Sequence, residues 1–552
     1  MNGPQLATAV IGVLIAAMIA VVITLRRGRA RKITYPILCV CAALSIYAWA
    51  DFGRFQAMSV DASRTESGPS RKKVRKNRPF HFHEFVHYYL GPKYFREVGY
   101  LGLYDCISLA DREIADEDHV PARISGWVRD LDDVLTDKPY AQALQDCKRE
   151  QMPRFTTERW QSFKTDIREL QRLVDDGAWS SVIYDAGFNP PPSLILLSTQ
   201  VTNLVPIADG PRMTFVVATS LDLFLLALTF VFVRHAFGRT TAAFALLFFG
   251  ATYISHYSWN GGSVLRFSWI CSVICSFCSM KRGKWALAGF FLGLAAIDRI
   301  FPAAFAGFAM IPIAVKAVKS EPHRKMLKRF SLAWGATVAV MVLASGLYWG
   351  FGSWGTFFSR IGRHSDVYYV MHIGLKKVMT FRSWVYSKNF HGHDGLVRFK
   401  DWNLQLRATW AGMRPLTWLV QLLVAGGAAW ASVRRKPWEA GLLGGVMFMF
   451  AFNLPANYYY AILTFIPALL VRAAATGRTE LARIRSLVAF TGFCIFWMFT
   501  YMAPHLEGDA IVFNFEICAV FFAFLLLWII AWIERDSWKD VRDAGMKLLR
   551  RT

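Results

Sequence analysis

Residues 213–234 read MTFVVATSLDLFLLALTFVFVR, 22 positions interrupted by a single carboxylate, Asp222, and closed by Arg234. As a helix rising 1.5 Å per residue this run measures about 33 Å, enough to cross the roughly 30 Å hydrocarbon layer of a bilayer. Working outward from it, comparable runs fall at 5–25, 34–51, 240–257, 263–280, 285–299, 302–316, 330–350, 415–433, 439–453, 457–472, 485–503 and 511–533. The fold class this predicts is all-α, a polytopic membrane protein of about 13 transmembrane helices. The first run reads as a span rather than a cleaved signal, because it lacks a basic start and leads directly into Arg26, Arg27, Arg29, Arg31 and Lys32.

Composition agrees with the runs. Of 552 residues, 54% are hydrophobic and only 18% charged, more apolar surface than a water-soluble globule of this length can hide. The net charge of +24 does not point to nucleic acid, since the Lys and Arg residues lie in short clusters between apolar runs instead of on one face. Those clusters set the orientation, because cytoplasmic loops collect positive charge. Arg234 and Arg239, Lys281 to Lys284, and the stretches 316–329, 434–436 and 472–485 all alternate onto one side.

The chain then divides into two N-terminal spans (1–51), a helical outward loop (52–212), a transmembrane bundle (213–350), a second outward loop (351–414), C-terminal spans (415–533) and a basic cytoplasmic tail (534–552). The expected setting is the inner membrane of a bacterial-type cell, with a periplasmic first loop. The basic run at 71–78 lies on the outward side against the charge rule, which long loops tolerate. Within the first loop, residues 122–135 and 157–174 carry helical periodicity. Residues 193–205, after Asn189-Pro190-Pro191-Pro192, read as a helix at or dipping into the outer surface, because another span would invert every later loop. Cys106 and Cys147 are a candidate disulfide if this loop lies outside the cytoplasm. Cys271, Cys275 and Cys278 sit at helical spacing in an apolar run and read as packing.

The densest group of titratable residues on the outward side is FHFHEFVHYYLG at 80–91. His83-Glu84-Phe85-Val86-His87 has the spacing of a zinc-peptidase helix, two imidazoles on one face with a carboxylate beside them. A third ligand would have to come from Asp105, Asp185 or the more distant His119, none of which lies in a second motif. Interfacial aromatics and imidazoles without chemistry are the plainer alternative.

A wider pattern runs through the same stretch. Glu84, Tyr88 and Gly91, then Leu103-Tyr104, are followed by FNPPPSLILL at 188–197, by Gly261 to Pro302 with Ala288-Gly289 and Gly293-Leu294-Ala295-Ala296, and by Pro455-Ala456-Asn457-Tyr458-Tyr459-Tyr460. In this order and spacing the chain resembles the polyprenol-phosphate-dependent membrane glycosyltransferases of the GT-C fold, in particular the alpha-mannosyltransferases of the phosphatidylinositol-mannoside type. Glu84 stands where that family usually has Asp, and Asp298-Arg299 where it usually has Lys. The resemblance implies a GT-C-like fold. It also implies transfer of a sugar, mannose or another hexose or pentose, from a polyprenyl-phosphate donor to an extracytoplasmic lipid, glycan or protein acceptor.

A carboxylate close to the membrane suits the base that accepts the proton of an attacking hydroxyl, and a departing phosphate calls for cations. Glu84 is the expected base. Arg299, His364 and His372 lead the candidates for the donor phosphate, with His83, His87, Tyr88, Arg266, Arg360, Arg363 and Lys376 as further substrate-binding candidates. Asp298 is alternatively a structural partner of Arg299, Arg266 a snorkelling anchor, and the later basic residues contacts to anionic headgroups. No cofactor or metal is demanded, and the expected partners are the lipid-linked donor, the acceptor and the bilayer. Two alternatives stay open: a membrane peptidase with Zn2+ or another divalent cation at His83, Glu84 and His87, and a non-enzymatic lipid or polymer transporter.

Overall fold

The structure, a computed structural model, describes residues 28–61, 73–78, 80–185, 187–207, 210–369, 372–380, 392–476 and 484–494. The candidate spans at 5–25 and 511–533, the later part of 485–503 (495–503) and the tail lie outside the described residues. The described chain is mostly helical. Three helices are long and apolar enough to cross a membrane: α8 (Pro211–Phe237), α13 (Glu321–Trp349) and α15 (Gly392–Ser432), each over the greater part of its length. Their apolar side chains face outward, with Phe224 63%, Leu347 78% and Leu422 69% exposed, a pattern that water does not tolerate over contiguous faces and lipid does. The chain is thus associated with a membrane through at least these helices.

Shorter apolar helices complete the bundle: α1 (Gly28–Trp49), α9 (Arg239–Ala251), α10 (Ser268–Lys281), α11 (Trp285–Asp298), α12 (Ala303–Ala317), α16 (Pro437–Phe452), α17 (Phe465–Thr476) and α18 (Ile484–Cys494). Small residues let them approach. Gly289 and Gly293, four apart on α11, lie against the Phe330 and Trp334 backbone and the Thr337 side chain of α13, where a Cβ at Gly289 would overlap the Phe330 carbonyl. Gly444 and Gly445 of α16 receive the rings of Phe308 and Phe305 from α12 in the same way.

The region between α1 and α8 is built on α2 (Phe82–Lys93), α3 (Leu103–Glu117), α4 (Tyr140–Asp146), α5 (Thr157–Gln171), α6 (Asp176–Ser181) and α7 (Pro192–Leu204). The predicted helix at 157–174 is α5, started by the Thr156 hydroxyl accepting from the Arg159 amide at 3.2 Å. The run at 193–205 is α7, which begins on Pro192 and buries Ser193, Ile195, Ser198, Thr199 and Thr202 while packing on α2 and α13. Buried Lys93 and Asp166 pair at 2.6 Å, with the Tyr94 hydroxyl donating to the same carboxylate. Cys106 and Cys147 are joined in a disulfide that ties α3 to the end of α4.

Five expectations are corrected. Residues 122–135 are not helical: β3 (Trp127–Arg129) pairs antiparallel with β4 (Asp137–Pro139). Side chains there outbid helical hydrogen bonds, since Asp111 accepts the amides of Arg123 and Ile124, and Asp130 and Asp133 accept those of Asp132 and Leu135. A second hairpin, β1 (Gln56–Asp61) with β2 (Lys73–Arg78), likewise departs from an all-helical loop. The span at 240–257 ends at Ala251, where Thr252 turns extended and the Ser255 hydroxyl donates to the Phe249 carbonyl. Residues 457–464 form a 3-10 helix before α17 begins.

The largest correction concerns 351–414, which is not a simple loop. It holds α14 (Gly352–Ser365), the turn Leu375–Met379 and the first half of α15, so that the span read at 415–433 belongs to one 41-residue helix that begins at Gly392. Charges at 398–414 hid its second face. Phe399, Trp402 and Leu406 recur at helical spacing and are buried against Leu135, Val367 and Tyr368.

Candidate functional site

Helices α10 and α11 form an antiparallel hairpin, so the chain entering one and the chain leaving the other come to the same end. Arg266, two residues before α10, and Arg299, directly after α11, lie there. The chain entering α10 is shaped by Gly262, held at φ +79° with its carbonyl accepting the His81 amide at 2.8 Å. A Cβ there would meet the backbone of Phe80 and His81 at 2.5 and 2.7 Å, which only glycine avoids. Leu265 follows at φ +55°, a left-handed conformation that costs a non-glycine residue about 1–3 kcal/mol. The turn so produced seats Arg266 directly beside the first turn of α2.

There Glu84 meets it. Arg266 Nη1 and Nη2 approach Glu84 Oε2 and Oε1 at 3.1 and 3.2 Å, a two-point pair. The arginine side chain is 4% exposed and the carboxylate 25%, so the negative group is the more accessible of the two. Arg266 is fixed from the back. Its Nε donates to Asn260 Oδ1 at 2.6 Å, its guanidinium lies 4.2 Å from the Tyr458 ring centre, and its amide and that of Phe267 donate to Asp222 at 3.1 and 3.2 Å. Asp222, the lone carboxylate of the opening stretch, therefore caps the N-terminus of a neighbouring helix, where the macrodipole favours a negative charge.

One helical turn beyond Glu84, Tyr88 links this pair to the second arginine. Arg299 donates through Nη2 to the Tyr88 hydroxyl at 3.1 Å, through Nε to Tyr459 at 3.2 Å and through Nη1 to Asp298 at 2.9 Å. Ser268 bonds the other oxygen of Asp298. Burial pushes the Tyr88 phenol up to about 12 although Arg299 and Arg266 pull the other way, so it keeps its proton as a donor. Gly91, one further turn along, receives the Phe188 ring, which in turn packs edge-on to Tyr88 at 5.6 Å. The spacing Glu84, Tyr88, Gly91 is thus one face of α2.

The imidazoles of this segment have separate duties. His81 caps α2 by accepting the Glu84 amide, and burial holds it down to about 4, in the neutral form that acceptance requires. His83 Nε2 lies 2.6 Å from Ser181 Oγ, while His87 Nε2 lies 2.7 Å from Tyr104 OH and its Nδ1 3.7 Å from Asp185. The two histidines of the zinc-like motif are directed to different partners, and Glu84 to Arg266. Among the described residues no group of three or more His, Cys, Asp or Glu side chains is placed to hold a metal ion.

The later candidates form a second cluster. Arg360 donates to Asn189 Oδ1 at 3.0 and 3.2 Å and to the Leu131 carbonyl; Arg363 pairs with Asp132 at 2.6 Å; Lys376 pairs with Asp366 at 2.9 Å. The rings of His364 and His372 stand 6.0 Å apart. A strap joins the clusters, because Ile373 donates to the Pro455 carbonyl and Tyr460 to that of Ile373, adjoining Tyr458 and Tyr459.

Glu84, Tyr88, Arg266 and Arg299, all expected from the sequence, lie together here, and their partners Asp222, Asn260, Ser268, Tyr458 and Tyr459 were not expected as such. Asp222 carried a signal, an ionisable residue inside an apolar run. Comparison of the chain with family models, curated proteins and solved structures finds no match.

Proposed function

We propose that this protein is a membrane glycosyltransferase of GT-C type, which moves a sugar from a polyprenyl-phosphate donor to an acceptor at the periplasmic face of a bacterial inner membrane through a bundle of about 13 spans. The observation that carries the reading is the Glu84–Arg266 pair linked through Tyr88 to Arg299. A partly exposed carboxylate is backed by two buried guanidinium groups at one end of an apolar helix hairpin, where a lipid phosphate and a hydroxyl acceptor can meet. The Cys106–Cys147 disulfide supports an oxidising, outward location for the first loop.

In this mechanism the donor phosphate displaces Glu84 from the Arg266 fork, since guanidinium binds phosphate in the same two-point manner. The released carboxylate takes the proton of the acceptor hydroxyl as its oxygen bonds the anomeric carbon. The bond from that carbon to the phosphate oxygen breaks, and the electron pair leaves with the polyprenyl phosphate. Arg266, Arg299 and the Tyr88 hydroxyl meet the developing charge.

The test supplies purified full-length protein in bilayer nanodiscs with radiolabelled polyprenyl-phosphate sugars and an extract of membrane lipids and glycans. A labelled glycoconjugate that requires both donor and protein is the expected result. Donor left unconsumed across mannosyl, glucosyl and arabinosyl forms contradicts the reading.

A further inference from the structure

A cavity of about 360 Å3 opens between residues 131–134 and the helices α14 and α15, within the size range of small-ligand sites. Asn189, in its wall, follows Phe188, whose ring packs on Tyr88, so one step of chain separates the cavity from the face of α2 that carries Tyr88. Arg360 is the anomaly in this wall. It is buried, 9% exposed, and its guanidinium donates only to neutral acceptors, to Asn189 Oδ1 at 3.0 and 3.2 Å and to the Leu131 carbonyl. Among the described residues no carboxylate pairs with it, although a buried charge ordinarily has an opposite partner. Burial pulls Arg360 below the ordinary arginine range, and neighbouring Tyr100, Tyr104 and Asp132 do not make up the difference.

The carboxylates of the same wall are engaged elsewhere. Asp132 pairs with Arg363 at 2.6 Å, Asp366 pairs with Lys376 at 2.9 Å, and Asp133, which is exposed, accepts the Leu135 amide at 3.2 Å. Arg363 is bonded through Nη1 alone, and Arg407 through Nε alone, to the Asp366 carbonyl at 3.0 Å. Their other guanidinium donors are uncommitted among the described residues. Four cations, Arg360, Arg363, Arg407 and Lys376, thus stand against three carboxylates, an excess of one positive charge. Its complement is a group with one negative charge shared by two oxygens, which a guanidinium fork meets at two points. A phosphodiester and a carboxylate both have that form.

We infer that this cavity binds a singly charged oxyanion, a phosphodiester or a carboxylate, carried by the acceptor. The assignment to the acceptor rests on the transferase reading, in which the donor's single phosphate is held at Arg266; the charge of the ligand follows from the cavity alone.

The test is isothermal titration of the full chain, in nanodiscs of zwitterionic phosphatidylcholine, with glycerophosphoglycerol, glucuronate and glucose as probes. At least one of the two anions is expected to bind, more weakly as salt rises, while glucose gives no heat. Tighter binding of glycerophosphoglycerol identifies a lipid headgroup as the source of the charge, and tighter binding of glucuronate an acidic glycan. Arg407→Gln should weaken the anion about tenfold, the loss of one hydrogen bond to a charged group. Asp133→Asn keeps the acceptor for the Leu135 amide and removes a negative charge from the wall, so it should tighten the anion about threefold, a sign that damage to the fold would not produce. Anion binding untouched by both substitutions in folded protein overturns the inference, as does glucose binding equal to that of the anions, or no binding at all. Anions that bind as expected in a protein that transfers no sugar leave the site standing and remove the transferase reading. Sugar transferred equally to neutral and to anionic acceptors overturns the inference alone.

Discussion

Glu84 carries two loads, and substitutions there must be read with both in mind. Its carboxylate neutralises a guanidinium that is almost fully buried, and taking one member from such a pair costs about 3–5 kcal/mol when the other is left without water. Glu84→Gln is therefore expected to lower the unfolding midpoint, by less than the full penalty because Asn260 and the Tyr458 ring still hold Arg266. Glu84→Asp keeps the charge one bond further back and should recover most of the stability with a reduced transfer rate, a split that calorimetry and activity together resolve. Protonation adds a second prediction at this scale. His81 and His364 titrate near 6.5 when unfolded and at about 4 when folded, so their contribution to stability is complete above 6.5 and is lost as pH falls toward 4. Unfolding midpoints should decline across that window, and His364→Gln should flatten part of the decline. Glu84, Arg266 and Arg299 were legible as residues because charge beside apolar runs demands a reason. Their partners Asn260, Tyr458 and Tyr459 were not, since nothing local in the sequence relates residue 84 to residue 458.

At the scale of elements, glycine sets the distances on which the site depends. A Cβ at Gly262 would push on the backbone that starts α2, so Gly262→Ala is expected to shift Glu84 away from Arg266 and lower transfer by about a hundredfold, roughly 2.7 kcal/mol, while α10 and α11 stay packed. Activity unchanged in a folded Gly262→Ala variant would show that this approach is not needed. Element identity followed from periodicity wherever packing alone decided, as in α5 and α8. It failed where side chains took over backbone hydrogen bonds, as Asp111 does around Arg123, and where charge masked a buried stripe, as on the outer half of α15. A disulfide pairing of Cys106 with Cys147 depended on knowing on which side of the membrane the loop lies, which charge bias alone supplied.

In the whole molecule, an apolar bundle meets the disulfide-linked region between α1 and α8 at the Glu84–Arg266 contact. The disulfide closes a sequence separation of 41, which chain-entropy reasoning values at about 4 kcal/mol. Cys106→Ser is therefore expected to destabilise the outward region, read as earlier proteolysis between residues 103 and 171, with the bundle helices protected longer; simultaneous loss of both regions would mean they fold as one unit. The most direct measurement of the central claim is the single-turnover rate of sugar transfer from saturating polyprenyl-phosphate donor by full-length protein and by its Glu84→Gln variant, with donor binding measured on both. The variant is expected to bind donor at least as well, because Arg266 no longer has a competing carboxylate, and to transfer the sugar at least a hundredfold more slowly, within the range general-base catalysis supplies. Transfer by the folded variant at the rate of the unaltered protein would contradict it.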